Sequence, residues 1–304
     1  MTMKYVVRAP AKVNLCLFLG PARSDGRHEL VTLFESISLA DELSVSVSSR
    51  LPDAVRCDEI DDPNLAAVAL QRLRARGWEG PPLHVEVVKH IPVAGGMGGG
   101  SADAAAVLRL ANELRAVPQQ TIAEVAAELG ADVPSQLSPG LALGTGAGES
   151  VQPHQSLSPH AFIVVRQPYR LATREVYAEA DRLDLPHDRA GLVEKLDQLR
   201  AELSAGARLP SDLVVNELEP AALSLLPQIG ESLAAVRDAG ADHALVSGSG
   251  PTVFGLFWGE DAIRRAAQSQ AGLRDHFPDT TTATPVDSAF GEPVQMAKAH
   301  KDRA

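Results

Sequence analysis

The sequence is poor in aromatic residues and has no excess of basic ones. Its 304 residues include 7 Phe, 3 Tyr and 2 Trp, and 28 Lys and Arg stand against 39 Asp and Glu, a formal net charge of −11. Single-stranded nucleic acids are bound by stacking on aromatic side chains along a basic groove, and a net negative chain repels a phosphate polymer. Nucleic acid is therefore not expected as a partner, and any phosphate must be bound in a local pocket.

Cysteines and long apolar runs are also scarce. The two cysteines, Cys16 and Cys57, have no metal-ligand spacing, and Cys16 lies in an apolar run where a buried thiol is the ordinary outcome. No apolar stretch approaches the roughly 20 residues that cross a bilayer, and the first residues lack the apolar core of a signal peptide. We expect a cytoplasmic protein with neither a disulfide framework nor a membrane partner.

Hydrophobic residues make up 45% of the chain, enough for the core of one large or two medium domains. Predicted strands and helices intermix without the regular β-α-β alternation of a doubly wound sheet, which favours an α+β fold. The polar segment 151–159 carries Pro153 and Pro159 and is predicted to be a linker. We therefore expect a first lobe over residues 1–155, a second over 156–287 and a flexible tail over 288–304.

Five glycines occupy the six positions 95–100, between a strand predicted at 84–89 and a predicted amphipathic helix. Glycines let backbone N–H groups approach an anion without obstruction by a Cβ, and a helix N-terminus adds partial positive charge. A Walker A loop is excluded because no Gly-Lys-Ser/Thr follows, and the dinucleotide-binding fingerprint fits poorly. The segment predicts an anion site, and a flexible or tightly packed glycine turn is the alternative.

Three further segments place polar residues in an apolar or turn-forming context. Lys12 and Asn14 interrupt an apolar strand and, being two residues apart, point to one face. A buried lysine demands an anionic partner, whereas an edge strand would leave it in solvent. Asp132 follows a predicted helix that ends at Gly130, and it is either a functional carboxylate or a turn and capping residue. The segment 247–251, Ser-Gly-Ser-Gly-Pro, would ordinarily be a tight hairpin connection.

Together and in this order, these segments resemble the motifs of the GHMP kinase superfamily, named for galactokinase, homoserine kinase, mevalonate kinase and phosphomevalonate kinase. The glycine loop is similar to its phosphate-binding motif, and residues 247–251 are similar to its C-terminal glycine motif. The segments 10–15, 25–30 and 130–134 resemble those of the members that phosphorylate a cytidine-diphosphate-linked methylerythritol in isoprenoid precursor biosynthesis.

The resemblance implies an α+β fold of two lobes, ribosomal-protein-S5-like and ferredoxin-like, with ATP and an acceptor alcohol in the cleft between them. Asp132 would accept the proton of the acceptor hydroxyl, while Lys12 would favour the anionic carboxylate and stabilise developing charge. The resemblance places the following residues around ATP: Pro92, Val93, Ala94, Gly95, Gly96, Met97, Gly98, Gly99, Gly100, Ser101 and Ala102 at the phosphates, and Asn64 and Lys89 near the adenosine.

The acceptor side would be formed by Asn14, Arg27, His28 and Tyr177, with His28 at the cytosine edge. Mg²⁺ is expected together with ATP, and the Ser101 hydroxyl is the one group that the sequence lets us name as its neighbour. Such an enzyme takes a small-molecule substrate, and we expect it to be a monomer or a weak homodimer.

The sequence departs from the family pattern in two segments. Arg27 stands where the family usually has tyrosine, and Ser135 and Gln136 stand where it usually has aromatic or apolar residues. A guanidinium is planar and can lie on a base, so Arg27 opposite Tyr177 is predicted to sandwich the cytosine. Two alternatives stay open: a GHMP kinase for a different small alcohol, and a nucleotide-binding protein on the same fold without turnover.

Overall fold

The computed structural model describes residues 3–47, 52–58 and 64–297. Within these ranges the strands are β1 (Met3–Ala22), β2 (His28–Val47), β3 (Ala54–Arg56), β4 (Leu83–Val88), β5 (Leu141–Thr145), β6 (Ser150–His154), β7 (His160–Val165), β8 (His243–Val246), β9 (Val253–Trp258), β10 (Thr280–Ala283) and β11 (Val294–Gln295). The helices are α1 (Leu65–Ala75), α2 (Gly99–Leu114), α3 (Gln119–Leu129), α4 (Val133–Gln136), α5 (Thr173–Arg182), α6 (Arg189–Glu202), α7 (Glu219–Leu225), α8 (Ile229–Asp238) and α9 (Ala262–Leu273), and a 3₁₀ turn spans Ser288–Gly291.

The first sheet is built around one long antiparallel hairpin of β1 and β2. The register shifts between Pro10 and Ala11 and again between Asn14 and Cys16, and proline is tolerated at such irregularities because it cannot donate to the ladder. The sheet continues in the order β11-β1-β2-β4-β3, and β5 pairs with both β2 and β6. Lys12 lies between the two register shifts and is buried, so the alternative of a solvated lysine on an edge strand is wrong.

The second sheet has four antiparallel strands in the order β10-β7-β9-β8. Along the chain its elements run strand, helices, strand, strand, helix, strand, which is the connectivity of a ferredoxin-like unit. The α+β fold and the ferredoxin-like second lobe are therefore as the resemblance implies. The two sheets meet along the chain between β6 and β7, at residues 155–159.

An apolar core joins the two sheets. Phe162 of β7 and Phe254 of β9 are fully buried in the same cluster as Leu15 and Leu33 of the β1–β2 hairpin. Burial of large apolar side chains is the main favourable term in folding, at about 25 cal/mol per Å². This shared core holds the second sheet against the hairpin and so fixes the walls of the cleft between them.

Three expectations about connecting segments are wrong. Residues 150–154 form β6, so the predicted linker is reduced to 155–159. The sequence of 219–239 has a helical pattern that predicts one helix, but the structure divides it into α7 and α8 at Pro227, which cannot supply the helical N–H. Residues 288–297 are not a flexible tail, because β11 pairs with Tyr5 and Val6 of β1 and covers that open strand edge. Residues 298–304 lie outside the described residues.

Helices of the described part of the chain are all too short or too polar to cross a membrane. Both cysteines are free, as expected, and burial raises the pKa of the Cys16 thiol to about 12. Such a thiol is an inert packing group.

Candidate active site

A cavity of about 510 Å³ lies between the glycine-rich loop, the β1–β2 hairpin and the 247–251 turn. The residues from Pro92 to Ser101 all line it, and Ala102 does not, since it is fully buried behind the loop. The other lining residues with polar or aromatic side chains include Lys12, Asn14, Thr32, Lys89, Asp132, Thr173, Tyr177 and Ser249. The structure thus brings the four segments singled out in the sequence to one cavity.

The glycine-rich loop follows a backbone path that requires glycine at two places. Gly96 and Gly98 have φ values of +75° and +70°, a left-handed conformation that residues with a Cβ rarely adopt. A Cβ on Gly96 would lie 2.1 Å from the Ser247 carbonyl oxygen, and one on Gly98 would lie 3.2 Å from Cγ of Lys12 and 3.7 Å from Oδ2 of Asp132. Gly96 therefore permits close packing, and Gly98 leaves open space beside Lys12 and Asp132.

Helix α2 begins directly after this loop, at Gly99, and is 16 residues long. The N–H groups of a first turn have no partner within the helix, and here that turn, with Gly99, Gly100 and Ser101, lines the cavity. None of its first-turn residues is acidic. The helix dipole and the unpaired N–H groups together favour a phosphate at this end.

Lys12 and Asp132 face each other in the cavity. Nζ of Lys12 lies 3.5 Å from Oδ2 of Asp132 and donates to Oδ1 of Asn14 at 2.8 Å. The Lys12 side chain is 5% exposed and that of Asp132 35%, so a ligand can reach the carboxylate while the ammonium stays enclosed. Asp132 precedes helix α4 but makes no capping hydrogen bond, which disfavours the capping alternative. A carboxylate held next to a buried ammonium can accept the proton of a bound hydroxyl.

The amide of Asn14 is oriented by Thr32, a residue that sequence reasoning missed. Nδ2 of Asn14 donates to Oγ1 of Thr32 at 2.7 Å, and the Thr32 hydroxyl donates to the carbonyl oxygen of Cys16 at 2.6 Å. Because only the amide oxygen can accept from an ammonium, these bonds keep that oxygen towards Lys12. Thr32 is fully buried, and its contact follows from the β1–β2 pairing, which no local pattern reveals.

The 247–251 turn closes the cavity from the second lobe. Nδ2 of Asn216 donates to the carbonyl oxygens of Val246 and Gly248 at 2.8 and 2.7 Å, which holds the turn in place. A Cβ on Gly248 would lie 3.4 Å from Nζ of Lys12. The turn is therefore a wall of the site as well as a connection between β8 and β9.

Lys89 lines the cavity, but its ammonium is already bound by two carboxylates. Nζ bonds Asp41 and, at 2.7 Å, Asp103, and the side chain is 2% exposed. Asp41 also accepts from the backbone N–H groups of His90 and Ile91. Burial raises the pKa of Asp103 to about 7, although the charge of Lys89 acts to lower it. These bonds tie β4 to α2 beneath the loop, and the contact of Lys89 with the adenosine stays a prediction.

Asn64, the second residue expected near the adenosine, caps helix α1. Its Oδ1 accepts from the N–H of Ala66 at 2.8 Å, the usual geometry of an N-cap. Asn64 does not line the cavity, whereas its neighbour Leu65 does. The role that the structure shows for Asn64 is to start the helix that places Leu65 there.

A second cavity of about 550 Å³ adjoins the first, and Ala131, Ala147, Thr173 and Tyr177 line both. Its other lining residues include Arg27, His28 and Asp181. Three of the four predicted acceptor-side residues therefore lie here, and the fourth, Asn14, lies in the first cavity.

The side chains in the second cavity are flat and held in place. The rings of His28 and Tyr177 have centroids 5.3 Å apart and are tilted by 35°. Arg27 donates from Nε and Nη2 to one oxygen of Asp25, at 3.1 and 2.9 Å, and bonds in the guanidinium plane leave its faces free to stack. Burial, with the charge of Asp132 adding to it, raises the pKa of the Tyr177 phenol. The cavity thus has planar surfaces from Arg27, His28 and Tyr177, and the Tyr177 phenol is uncharged at neutral pH.

His28 also has a partner that the sequence did not indicate. Its Nε2 lies 2.7 Å from Oδ1 of Asp181, a residue one helical turn after Tyr177 in α5. Residues four apart on a helix face the same side, so the Tyr177 signal could have directed attention to position 181. Thr32 and Asn216 had no such signal.

Comparison with known proteins agrees with this geometry. The model of the GHMP kinases N terminal domain matches residues 64–140, and that of the GHMP kinases C terminal domain matches residues 190–271. A 4-diphosphocytidyl-2-C-methyl-D-erythritol kinase of Thermobifida fusca is 43% identical over 297 residues, covering 91% of this chain and 94% of that protein. The Streptomyces coelicolor protein of the same name is 40% identical over 302 residues, covering 96% and 99%.

The same kinase appears among solved structures. A crystal structure of 4-(cytidine 5'-diphospho)-2C-methyl-D-erythritol kinase superposes with a TM-score of 0.72 at 33% identity, covering 92% of this chain and 98% of that one. Sequence identity and fold thus agree over nearly the whole length, including both lobes and the loop between Lys89 and α2. The chain belongs to the GHMP kinases and, among them, to the 4-diphosphocytidyl-2-C-methyl-D-erythritol kinase family.

Proposed function

We propose that this chain transfers the γ-phosphoryl group of ATP to the 2-hydroxyl of 4-diphosphocytidyl-2-C-methyl-D-erythritol. The observation that carries the proposal is the placement of Lys12 and Asp132, 3.5 Å apart, beside a glycine loop that leads into a helix N-terminus. This pair lies in a cavity that continues into a second one with aromatic walls. One cleft therefore offers a phosphate cradle, a base and a place for a nucleobase.

Phosphoryl transfer depends on positioning and on charge stabilisation more than on covalent help from the protein. Asp132 takes the proton of the acceptor hydroxyl as that oxygen attacks the γ-phosphorus. Lys12 stabilises the carboxylate and the negative charge that develops on the transferred group. Asn14 occupies one of the three ammonium donors, which leaves the others for Asp132 and for the phosphoryl oxygens.

The phosphates of ATP lie against the glycine loop and the first turn of α2. Gly98, with no Cβ between Lys12 and Asp132, lets the γ-phosphoryl group approach both. Mg²⁺ would accompany the nucleotide, and an ion bound largely by phosphates and waters would need few protein ligands. The Ser101 hydroxyl lines the cavity at this turn and is an oxygen donor of the kind that fits. When bound, the ion would neutralise charge on the phosphates.

The diphosphocytidyl end of the acceptor lies in the second cavity. The base packs between the face of Arg27 and Tyr177 with its edge towards His28. Stacking of a base is worth about 1 to 3 kcal/mol, so an acceptor without the cytidine group should be a far poorer substrate.

We also propose that the enzyme acts in the cytoplasm as a monomer or a weak homodimer. ATP is supplied in the cytoplasm, and both Lys12 and Asp132 come from a single chain, so no second copy is needed to complete the site. Light scattering during size-exclusion chromatography, over a range of protein concentrations, measures this state.

An ATP-consumption assay with a panel of alcohols tests the proposed function. The panel contains 4-diphosphocytidyl-2-C-methyl-D-erythritol, free methylerythritol phosphate, homoserine and mevalonate. We expect turnover with the first compound and kcat/KM at least about tenfold lower with the others, the equivalent of 1.4 kcal/mol of lost stacking. Lys12→Met should remove this activity, and Lys4→Met, at an exposed position of the same strand, should keep it. Preference for another alcohol, or ATP binding without turnover, contradicts the proposal.

A further inference from the structure

The second cavity contains a hydrogen-bonded pair for which the phosphoryl transfer itself has no use. Nε2 of His28 lies 2.7 Å from Oδ1 of Asp181. The His28 side chain is 6% exposed and that of Asp181 is 50% exposed. Because an ionised carboxylate can only accept hydrogen bonds, Nε2 of His28 must carry the proton of this bond.

A neutral imidazole that carries its hydrogen on Nε2 presents Nδ1 as an acceptor. His28 lines the second cavity, and none of the described residues bonds its Nδ1. The ring is held at the start of β2, where His28 pairs with Ala22 of β1, and it packs against Tyr177. The pair with Asp181 therefore leaves Nδ1 as the acceptor nitrogen of a ring that lines the second cavity beside Tyr177.

Two arginines of this region, Arg182 and Arg27, bond other carboxylates and not Asp181. Arg182, the next residue, donates from Nε and Nη2 to the two carboxylate oxygens of Glu179 at 2.7 Å each. Arg27, across the cavity, is bound to Asp25. Asp181 thus keeps a carboxylate free to accept from His28.

We propose that Asp181 is a positioning residue that makes the site select cytosine over uracil, by fixing the hydrogen of His28 on Nε2. The inference rests on the proposed function, which brings a diphosphocytidyl group to this cavity. Cytosine carries an exocyclic amino donor where uracil carries a carbonyl oxygen. Nδ1 as an acceptor receives a hydrogen bond from the amino group of cytosine and repels the carbonyl oxygen of uracil. The choice of base therefore follows from the tautomer of one imidazole.

The substitution Asp181→Asn tests this inference because asparagine has the same shape but can also donate. It can donate from Nδ2 to Nε2 of His28 or accept through Oδ1, so it no longer forces the ring hydrogen onto Nε2, and the molecules with hydrogen on Nδ1 present the opposite polarity. We expect the ratio of kcat/KM for the cytidine-diphosphate acceptor to that for its uridine-diphosphate analogue to fall by about tenfold, the equivalent of one neutral hydrogen bond of about 1.4 kcal/mol. At saturating cytidine substrate, kcat should stay within about twofold, since Asp132 is unchanged.

Two variants serve as controls. Glu179→Gln removes a carboxylate from the same helix that bonds Arg182 and Ser224 and not His28, so the base ratio should not change. Asp181→Glu retains an acceptor-only group, and the preference for cytosine should persist. An equal loss of activity towards both bases in Asp181→Asn would indicate a structural role and overturn the inference, as would an unchanged ratio.

A second readout does not depend on turnover. Nitrogen-15 NMR of the His28 ring should show hydrogen on Nε2 in the unmodified protein and a shift of population to Nδ1 in Asp181→Asn. The same tautomer in both proteins would refute the inference. If the unmodified protein phosphorylates neither acceptor, the proposed function fails, whereas this NMR comparison still decides whether Asp181 fixes the tautomer.

Discussion

Gly98→Ala perturbs the centre of the site with a single methyl group. Gly98 has a φ of +70°, and an alanine in the left-handed region costs about 1 to 2 kcal/mol. The added Cβ would also lie 3.2 and 3.3 Å from Cγ and Cε of Lys12 and 3.7 Å from Oδ2 of Asp132. The methyl group would thus press on the Lys12 side chain and lie beside the Asp132 carboxylate, where the proposed mechanism places the reacting groups.

The two contributions have different readouts. The backbone strain of 1 to 2 kcal/mol should lower the melting temperature by roughly 1.5 to 3 °C for a chain of this size. The contact with Lys12 forces a shift of a few tenths of an ångström, and misplacement by about 1 Å can cost about 10²-fold in rate. We therefore expect kcat to fall by at least about tenfold, measured by coupled ADP release at saturating ATP and acceptor.

Gly206→Ala is the matched control. Gly206 has a φ of +73° and nothing within 4 Å of the position of its Cβ, so alanine there carries the same strain away from the cleft. We expect a similar loss of melting temperature with kcat unchanged. If Gly98→Ala keeps the kcat of the unmodified protein, or if both variants lose the same fraction of kcat, the open space that Gly98 leaves beside Lys12 and Asp132 is not needed for catalysis.

Three other predictions follow from buried polar groups. Thr32→Val should lower kcat by about tenfold because the Asn14 amide loses the bond that orients it, and Thr32→Ser should restore the rate; equal kcat in the two variants contradicts this. Burial alone would lower the pKa of His160, but the hydrogen bond to Glu35 raises this pKa overall. The bond therefore stabilises the fold at pH 6, and this stabilisation is lost as the pH rises through the raised pKa. In thermal melts the stability lost in His160→Gln should therefore shrink from pH 6 to pH 9, and a constant difference refutes it. The side-chain amide of Gln136 is buried and has no hydrogen-bond partner among the residues that the structure describes, so Gln136→Leu should raise the melting temperature, and a lower one would show that the amide is satisfied.

Local patterns predicted those parts of the site that lie close together in the sequence. The alternation of Lys12 and Asn14 on one strand face is confirmed by the 2.8 Å hydrogen bond between them. The glycine loop was predicted to lead directly into a helix, and α2 begins at Gly99. Such features follow from strand periodicity and glycine chemistry alone.

Partners that come from distant segments were not predictable. Lys89 bonds Asp41 and Asp103, which belong to two other elements, and neither partner was predicted. Nothing in the local sequence tells a lysine that binds a ligand from one that is neutralised by buried acids. The prediction of a flexible tail was wrong for the same reason, because residues 294–295 form a strand only by pairing with the edge of β1.

At the start of α3 two local patterns compete. Thr121 and Glu124 have the spacing of a capping box, which predicts a helix that begins after Thr121, but α3 already begins at Gln119, directly after Pro118. Proline is favoured at a helix start because it has no N–H to leave unsatisfied, and this preference prevailed over the capping box.

The turnover number of Asp132→Asn with 4-diphosphocytidyl-2-C-methyl-D-erythritol tests most directly whether the Lys12–Asp132 pair performs phosphoryl transfer here. Asparagine keeps the shape of the side chain beside Lys12 but cannot take a proton from the acceptor hydroxyl. At saturating ATP and acceptor, we predict a kcat at least about 10²-fold below that of the unmodified protein, the low end for removal of a general base. A variant that retains more than about a tenth of the original kcat would contradict the assignment of Asp132 as the base.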